Sequence, residues 1–490
     1  MGAVEGDPYE RGMLSGALAQ DLILYQEEAF MSKLKEIVPS KFKQSMLRQF
    51  LKWYNRKLYL HVPNEYLAEI YGVSQYASKE YDYVAPPYLR SLYLHAAHDI
   101  GHALNDLSMV GCTSFAAWNE KTQDGSLLIA RNLDFYAGDE FAENKVVSFV
   151  KPDTGYAFMS VVWGGMIGSL SGMNVQGLTV TLNSGKSDIP LQAKTPISIL
   201  AREILQYAQN IDEAVAIAKK REVFVSESIM VGSAQDDKAV LIEVSPNKFG
   251  VYEVKNSSQL ICANHFQSDV YKDDENNNYT IANSHSQYRY DKMTELLEAE
   301  EKVDVNDAAA IMRNTKGLEG LQLGYGNEKA INQLLAHHSV IFKPQQQMVW
   351  VSANPNVLGE YVAYNLKDIF SKPHINNQGT VQQSALNVAA DPFVYSQTYK
   401  SYEQYRKDDR LMDKAIESEE ILPLGFVKTY QLHNPNLWIV YYKAGVYNYN
   451  KGYYAAAKAE FEKALTKEIT TMPDKEHIEE YLKKINKKLK

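Results

Sequence analysis

The run Val110-Gly111-Cys112-Thr113-Ser114-Phe115 is followed by a turn at Asp124-Gly125 and a second run ending in Arg131-Asn132-Leu133-Asp134-Phe135. Two β-prone runs joined through Asp-Gly predict a hairpin, in which residues after the turn return beside those before it. That pairing brings Arg131 and Asp134 close to Cys112, one of only two cysteines in 490 residues. A free thiol has a pKa of ~8.5, so an adjacent arginine and a base are the expected activators. The hairpin itself contains no histidine. If the Gly111–Cys112 bond were cut, however, Cys112 would carry an α-amine titrating at ~7.7–8.0, and one residue would supply both nucleophile and base.

Cys112-Thr-Ser, Asp124-Gly125 and Arg131-Asn-Leu-Asp-Phe135 resemble the opening of the cysteine N-terminal-nucleophile (Ntn) hydrolases. Within that group the chain is similar to the isopenicillin-N acyltransferase-type autoproteolytic acyltransferase/hydrolase family, related to choloylglycine hydrolases and acid-ceramidase-like amidases. The resemblance runs from about Glu10-Arg11-Gly12 to about Pro355. It includes Gly172-Met-Asn174, Gly177-Leu178, Asn183, Asn264-His265-Phe266, Ser284-His-Ser286-Gln-Tyr-Arg289 and Ser339-Val-Ile-Phe342. It implies an α+β fold, the four-layer αββα Ntn sandwich, with self-cleavage between Gly111 and Cys112. It also implies that Asp134 holds the freed amine, Arg131 favours the thiolate, Asn264 stabilises the oxyanion, and Asn183 and Arg289 complete the pocket. No cofactor or metal belongs to such a site.

Composition narrows the alternatives. With 45% hydrophobic and 23% charged residues the chain reads as ordinary and globular, and its length predicts two or three domains. A net charge of −9 argues against a nucleic-acid partner. No stretch reaches the ~18–20 apolar residues of a membrane span. The polar beginning lacks the basic and apolar regions of a signal peptide; removal of a leader leaves export or a periplasmic location open beside a cytoplasmic one. Oligomeric state is not legible.

Residues 9–110 read as helical, interrupted at Pro63, Pro86 and Pro87. By resemblance, 1–111 is a pro-region, 112–400 the catalytic domain and 401–490 a helical C-terminal region. His95, His98, Asp99 and His102 share one helix face. One reading is a metal-dependent hydrolase built on that face; the other is a helix whose histidines hydrogen-bond to the rest of the protein. Beyond Cys112, short strand patterns such as Leu127–Asn132, Val223–Val231, Leu260–Asn264 and Met348–Ser352 precede and follow blocks of helix, which predicts α+β layers. Gly168-Ser-Leu-Ser-Gly172 lacks a nucleophile-elbow serine at its centre and reads as a turn. Cys262, two residues before Asn264, shares its strand face.

From Trp438 to Leu465 the pattern of Ala444, Gly445, Tyr453, Ala457, Phe461 and Ala464 resembles one tetratricopeptide repeat, followed by a charged helix from Asp474. A non-enzymatic interaction protein using this repeat is a further alternative. The reading favoured over it is a self-processing cysteine amidase or acyltransferase acting on the linear C–N amide of a small N-acyl substrate.

Overall fold

The computed structural model describes residues 3–104, 110–135, 138–186, 192–371, 380–418 and 420–489. They form a mixed α+β protein with two sheets. The eight-stranded sheet contains β1 (Val4–Gly6), β4 (Val146–Pro152), β5 (Phe158–Val162), β6 (Ser171–Asn174), β7 (Leu178–Ser184), β8 (Glu227–Ser233), β9 (Lys238–Val244) and β10 (Phe249–Tyr252), in that spatial order. The six-stranded sheet has the order β11 (Gln259–Cys262), β2 (Val110–Ala117), β3 (Leu128–Phe135), β12 (His338–Lys343), β13 (Met348–Ser352) and β14 (Tyr361–Asn365). Among these described strands, only β1 and β4 pair in parallel.

Strand alternation divides the apolar residues between two cores. Ala116 and Ile129 point inward, where they meet Met159, Met173, Met230 and Leu241 of the other sheet. Phe115 and Ala130 point outward beneath Met293, Leu297 and Met312, from the helices Ser286–Ala299 and Val305–Met312. On the far side of the eight-stranded sheet, Val180, Ile229 and Ile242 share a core with Leu200 and Ile204 of the helix Ile197–Tyr207. Tyr66, Ile70 and Leu92 from the N-terminal helices join this core.

The N-terminal region is not wholly helical. Val4–Gly6 extends the eight-stranded sheet by pairing with Val150–Pro152. Three residues carry too little period-two signal to be read without their partner strand. For the same reason β6 and β14 went unanticipated, and Ser171 and Gly172, expected in a turn, lie in β6. The expected strand Val223–Val231 begins only at Glu227.

A buried ion network joins the N-terminal helices to the helix Ile197–Tyr207. Glu69 receives the guanidinium of Arg11 at 3.1 Å and that of Arg202 at 3.1 Å, and all three side chains are inaccessible to solvent or nearly so. Removing the shared carboxylate takes from Arg202 its carboxylate partner and leaves Arg11 only the half-exposed Asp153, 3.0 Å away. Glu69→Ala is therefore expected to destabilise the protein by about 3–5 kcal/mol, measured from urea unfolding midpoints; a loss of less than about 1 kcal/mol, the range of an exposed pair, would contradict this account.

The C-terminal helices Gln397–Ser418, Phe426–His433, Trp438–Asn450, Tyr454–Ala464 and Met472–Lys488 build their own apolar cluster. Leu334 and Leu358 from the preceding region enter that cluster. Lys329 pairs with Glu468 at 2.5 Å and Asn434 donates to the Tyr325 carbonyl at 2.7 Å, so this region packs onto the rest of the chain.

Candidate active site

Strand β2 starts at Val110 and carries the ladder through Gly111 and Cys112, ahead of the apolar pattern that begins at Thr113. Register places Gly111 opposite Asp134, Cys112 opposite Leu133 and Ser114 opposite Arg131. The Gly111–Cys112 bond thus lies inside a paired strand. A Cβ at residue 111 would meet the end of the buried Gln333 side chain, which would have to shift to admit it.

Alternation assigns the neighbours of Cys112 to two faces. Cys112, Ser114 and Arg131 face the eight-stranded sheet; Gly111, Thr113, Asn132 and Asp134 face the outer helices. Arg131 Nη2 lies 3.5 Å from Cys112 Sγ and also donates to the Leu182 carbonyl. Its Nη1 donates to Ser171 Oγ at 2.9 Å. Ser114 Oγ donates to Asn183 Oδ1 at 3.1 Å, and Asn183 Nδ2 reaches the carbonyls of Cys262 and Ala263 at 3.2 Å each. Asn183 therefore ties β7 to the end of β11.

Asn264, just past β11, accepts the Cys112 backbone N–H at 3.0 Å through Oδ1. Its Nδ2 donates to Ser184 O and Oγ, both at 2.9 Å. On the outer face, Arg289 binds the Cys112 carbonyl at 2.6 Å, Thr113 Oγ1 at 2.6 Å and Asn264 Oδ1 at 2.5 Å. Arg289 comes from the first turn of Ser286–Ala299, so one helix end fixes both the thiol-bearing residue and the asparagine.

All six expected residues are thus in one buried neighbourhood, but not all touch the thiol. Arg131 reaches the sulfur; Asn264 and Arg289 hold the backbone on either side of it; Asn183 accepts from Ser114, two residues along the strand on the same face. Asp134 lies on the opposite face from the sulfur, across from Gly111, and neither of its oxygens accepts a hydrogen bond among the described residues.

Burial pushes the Cys112 thiol upward, and the Arg131 charge pulls it back. Burial also raises the Asp134 carboxyl to about 8, against the opposing charges of Arg289 and Arg131. The sign of the pH effect follows. Between the unfolded value near 3.8 and the folded value near 8, the folded state retains a proton that the unfolded state has lost, so this group's contribution falls as pH rises. In an uncleavable Cys112→Ala background, Asp134→Asn is expected to flatten the decline in stability between about pH 5 and about pH 7, by at most about 1.4 kcal/mol per pH unit. Denaturant midpoints at the two pH values test this, and parallel slopes in the two backgrounds would refute it.

Sequence reasoning passed over His337 and His338. His338 Nε2 lies 2.9 Å from Ser171 Oγ and 3.5 Å from Arg131 Nη1, while the two Nδ1 atoms are 2.8 Å apart. Burial holds both rings well toward the neutral form. The available signal was a His-His pair immediately ahead of the Ser339 strand. Cys262 packs in the core between the sheets.

His95 uses both ring nitrogens: Nδ1 is 2.7 Å from the Ser91 carbonyl, and Nε2 accepts the Ile167 N–H at 2.9 Å. The side chains of His98 and His102 lie outside the described residues. Among the described residues, no group of three His, Cys, Asp or Glu side chains is placed to hold a metal ion.

Residues 118–356 match the family described as acyl-coenzyme A:6-aminopenicillanic acid acyl-transferase. Over those residues, about half of its length, the chain is similar to that acyl-transferring family. Among curated proteins, it is 26% identical over 272 residues to an uncharacterized protein of Archaeoglobus fulgidus, covering 51% of this chain and 44% of the relative. It is 24% identical over 263 residues to Protein dcd1B of Dictyostelium discoideum, covering 51% of each. The chain thus spans about half the length of the curated relatives it matches. Similar solved structures include a Caenorhabditis elegans N-acylethanolamine-hydrolyzing acid amidase ortholog, at 18% identity, with 48% of this chain and 93% of that one covered and a TM-score of 0.36. A mutant of the conjugated bile acid hydrolase from Clostridium perfringens is 12% identical, with 52% of this chain and 93% of that one covered and a TM-score of 0.35.

Proposed function

We propose that this protein is a self-processing cysteine amidase or acyltransferase that opens the linear C–N amide bond of a small N-acyl compound. The observation carrying the reading is the setting of Cys112: its sulfur lies 3.5 Å from a buried arginine, its N–H is held by Asn264 and its carbonyl by Arg289. The match to an acyl-transferring family supports it.

In the first reaction the Cys112 sulfur attacks the Gly111 carbonyl carbon. The Gly111–Cys112 C–N bond breaks, the nitrogen takes the thiol proton, and Gly111 is left as a thioester on the sulfur. Water then releases Gly111 as a carboxylate and regenerates the thiol. The freed amine acts as base for the second reaction, in which Cys112 attacks the substrate amide and expels its amine. Arg131 favours the thiolate. Asn264 is the candidate oxyanion donor, and this role requires its Nδ2 to turn from Ser184. Asp134 receives the new ammonium, which lowers the carboxyl toward its charged form. Asn183 and Arg289 position the surrounding strands. Hydrolysis ends with water; acyl transfer ends with an acceptor amine.

On this reading residues 1–111 are the pro-region, 112–400 the catalytic domain and 401–490 the C-terminal helical region. The four-layer αββα sandwich is supported by the helix-covered outer faces of both sheets. A tetratricopeptide-like unit is supported by Trp438–Asn450 packing on Tyr454–Ala464, with the Phe461 ring against Gly445. Incubation with a panel of N-acyl amides should release amine and leave a transient acyl mass on the fragment beginning at Cys112. Amine release without any acyl adduct under rapid quench, together with full activity of Cys112→Ala, would refute the mechanism.

A further inference from the structure

The helix Lys41–Tyr54 is amphipathic, but its apolar residues do not all face the protein. At 100° per residue, Phe42, Met46, Phe50 and Trp53 fall within about 80° of one another. They are 74%, 59%, 42% and 51% exposed. The helix docks through a different arc: Tyr54 is buried with its ring 6.2 Å from Phe224, and Leu51 packs on the same core. Ile37 before the helix and Tyr59 and Leu60 after it enlarge the exposed apolar surface. A stripe of large exposed apolar side chains along one helix is unusual on a protein that remains free in water.

Charge identifies what covers it. From Ile37 to Asn64 the chain carries Lys41, Lys43, Arg48, Lys52, Arg56 and Lys57, with no aspartate or glutamate, although the whole chain has a net charge of −9. Helical geometry puts Lys43 at one edge of the apolar stripe and Gln49 and Ser45 at the other, with Lys52 and Lys41 further round, about 80–100° from Phe42. Arg56 lies over the Trp53 ring, 4.5 Å from its centroid. Lys41, Lys43, Lys52, Arg56 and Lys57 are all exposed. An apolar stripe on an otherwise basic helix, with tryptophan and tyrosine at its end, is the arrangement that lies in a lipid–water interface. The net negative charge of the whole chain would favour turning this basic face toward an anionic surface. No helix among the described residues is long and apolar enough to cross a bilayer, so the contact is peripheral.

We propose that the surface formed by Ile37, the helix Lys41–Tyr54 and residues 56–60 binds anionic lipid bilayers. Apolar side chains enter the headgroup boundary, and the lysines meet lipid phosphates. The proposal does not depend on the Cys112 chemistry. It extends to function because Tyr54, at the end of this helix, belongs to the same apolar cluster as Cys112.

The test is flotation of the full chain with phosphatidylcholine vesicles, with and without about 30% phosphatidylglycerol, at near-physiological salt. The variants Phe50→Glu/Trp53→Glu and Lys41→Glu/Lys52→Glu alter exposed positions, and circular dichroism melting confirms that they remain folded. Flotation is expected with the anionic vesicles and not with phosphatidylcholine alone, falling at least about tenfold in each variant and on raising the salt. Wild-type protein left in the soluble fraction with anionic vesicles overturns the proposal. Binding that survives both double substitutions overturns it for this face. A dimer in sedimentation that Phe50→Glu/Trp53→Glu dissociates, without lipid binding by wild type, assigns the stripe to a second copy instead.

Discussion

Intact mass of freshly purified wild-type protein is expected to show two fragments, of 111 and 379 residues, whereas Cys112→Ala remains one chain of 490. The strand geometry makes this a demanding result. The Gly111–Cys112 bond lies within a paired ladder, so cleavage requires the sulfur to reach the carbonyl of the residue before it while Asn264 and Arg289 hold the rest of Cys112 in place. The same substitution is expected to lower amidase activity by at least about 10³-fold, as loss of a nucleophile does. Cleavage of the alanine variant at the same bond would assign processing to another agent. An uncut wild type that still turns over amides would remove the free amine from the mechanism.

Arg131→Gln is expected to lower kcat/KM at neutral pH by about 10²-fold and to move the acid limb of its pH profile upward. The direction follows from the charges around Cys112. Burial, Asp134 and Glu227 all raise the thiol, and Arg131 is the largest influence opposing them, 3.5 Å from the sulfur. Without that cation a smaller fraction of thiolate is present at a given pH. Arg131 also binds Ser171 and the Leu182 carbonyl, so a purely structural role must be separated from an electrostatic one. Arg131→Lys provides the separation: it retains charge with poorer geometry and is expected to return the acid limb toward its wild-type position while recovering only part of the rate. If the glutamine variant loses activity with an unmoved pH profile, Arg131 acts through packing alone.

The hairpin was legible because its signals are local. Asp124-Gly125 marks the turn region and the apolar runs set the strands, but the connection spans the ten residues 118–127, so the pairing of Ser114 with Arg131 was fixed by the folded ladder. Parity was also available: Arg131 and Asp134 are three residues apart, hence on opposite strand faces, and only the first can meet the sulfur. Short elements were harder. Val4–Gly6, Ser171–Asn174 and Tyr361–Asn365 become strands because partner strands supply their hydrogen bonds. Their own few residues carry no periodicity to read. His337 and His338 escaped notice because their partner Ser171 lies 167 residues from His338 in sequence.

What the sequence supplied by itself was the candidate set: a rare cysteine after a glycine, an arginine and an aspartate returned by a turn, and later polar residues in a family order. Tertiary structure alone decided which of these meet. Asn264 reaches Cys112 across 152 residues and Arg289 reaches its carbonyl across 177. These contacts exist because β11 pairs with β2 and because Ser286–Ala299 covers the outer face of that sheet. Burial was likewise decided by packing. The cores on both sides of the hairpin exclude water, which pushes the Cys112 thiol and the Asp134 carboxyl upward, and only a folded core can impose that desolvation.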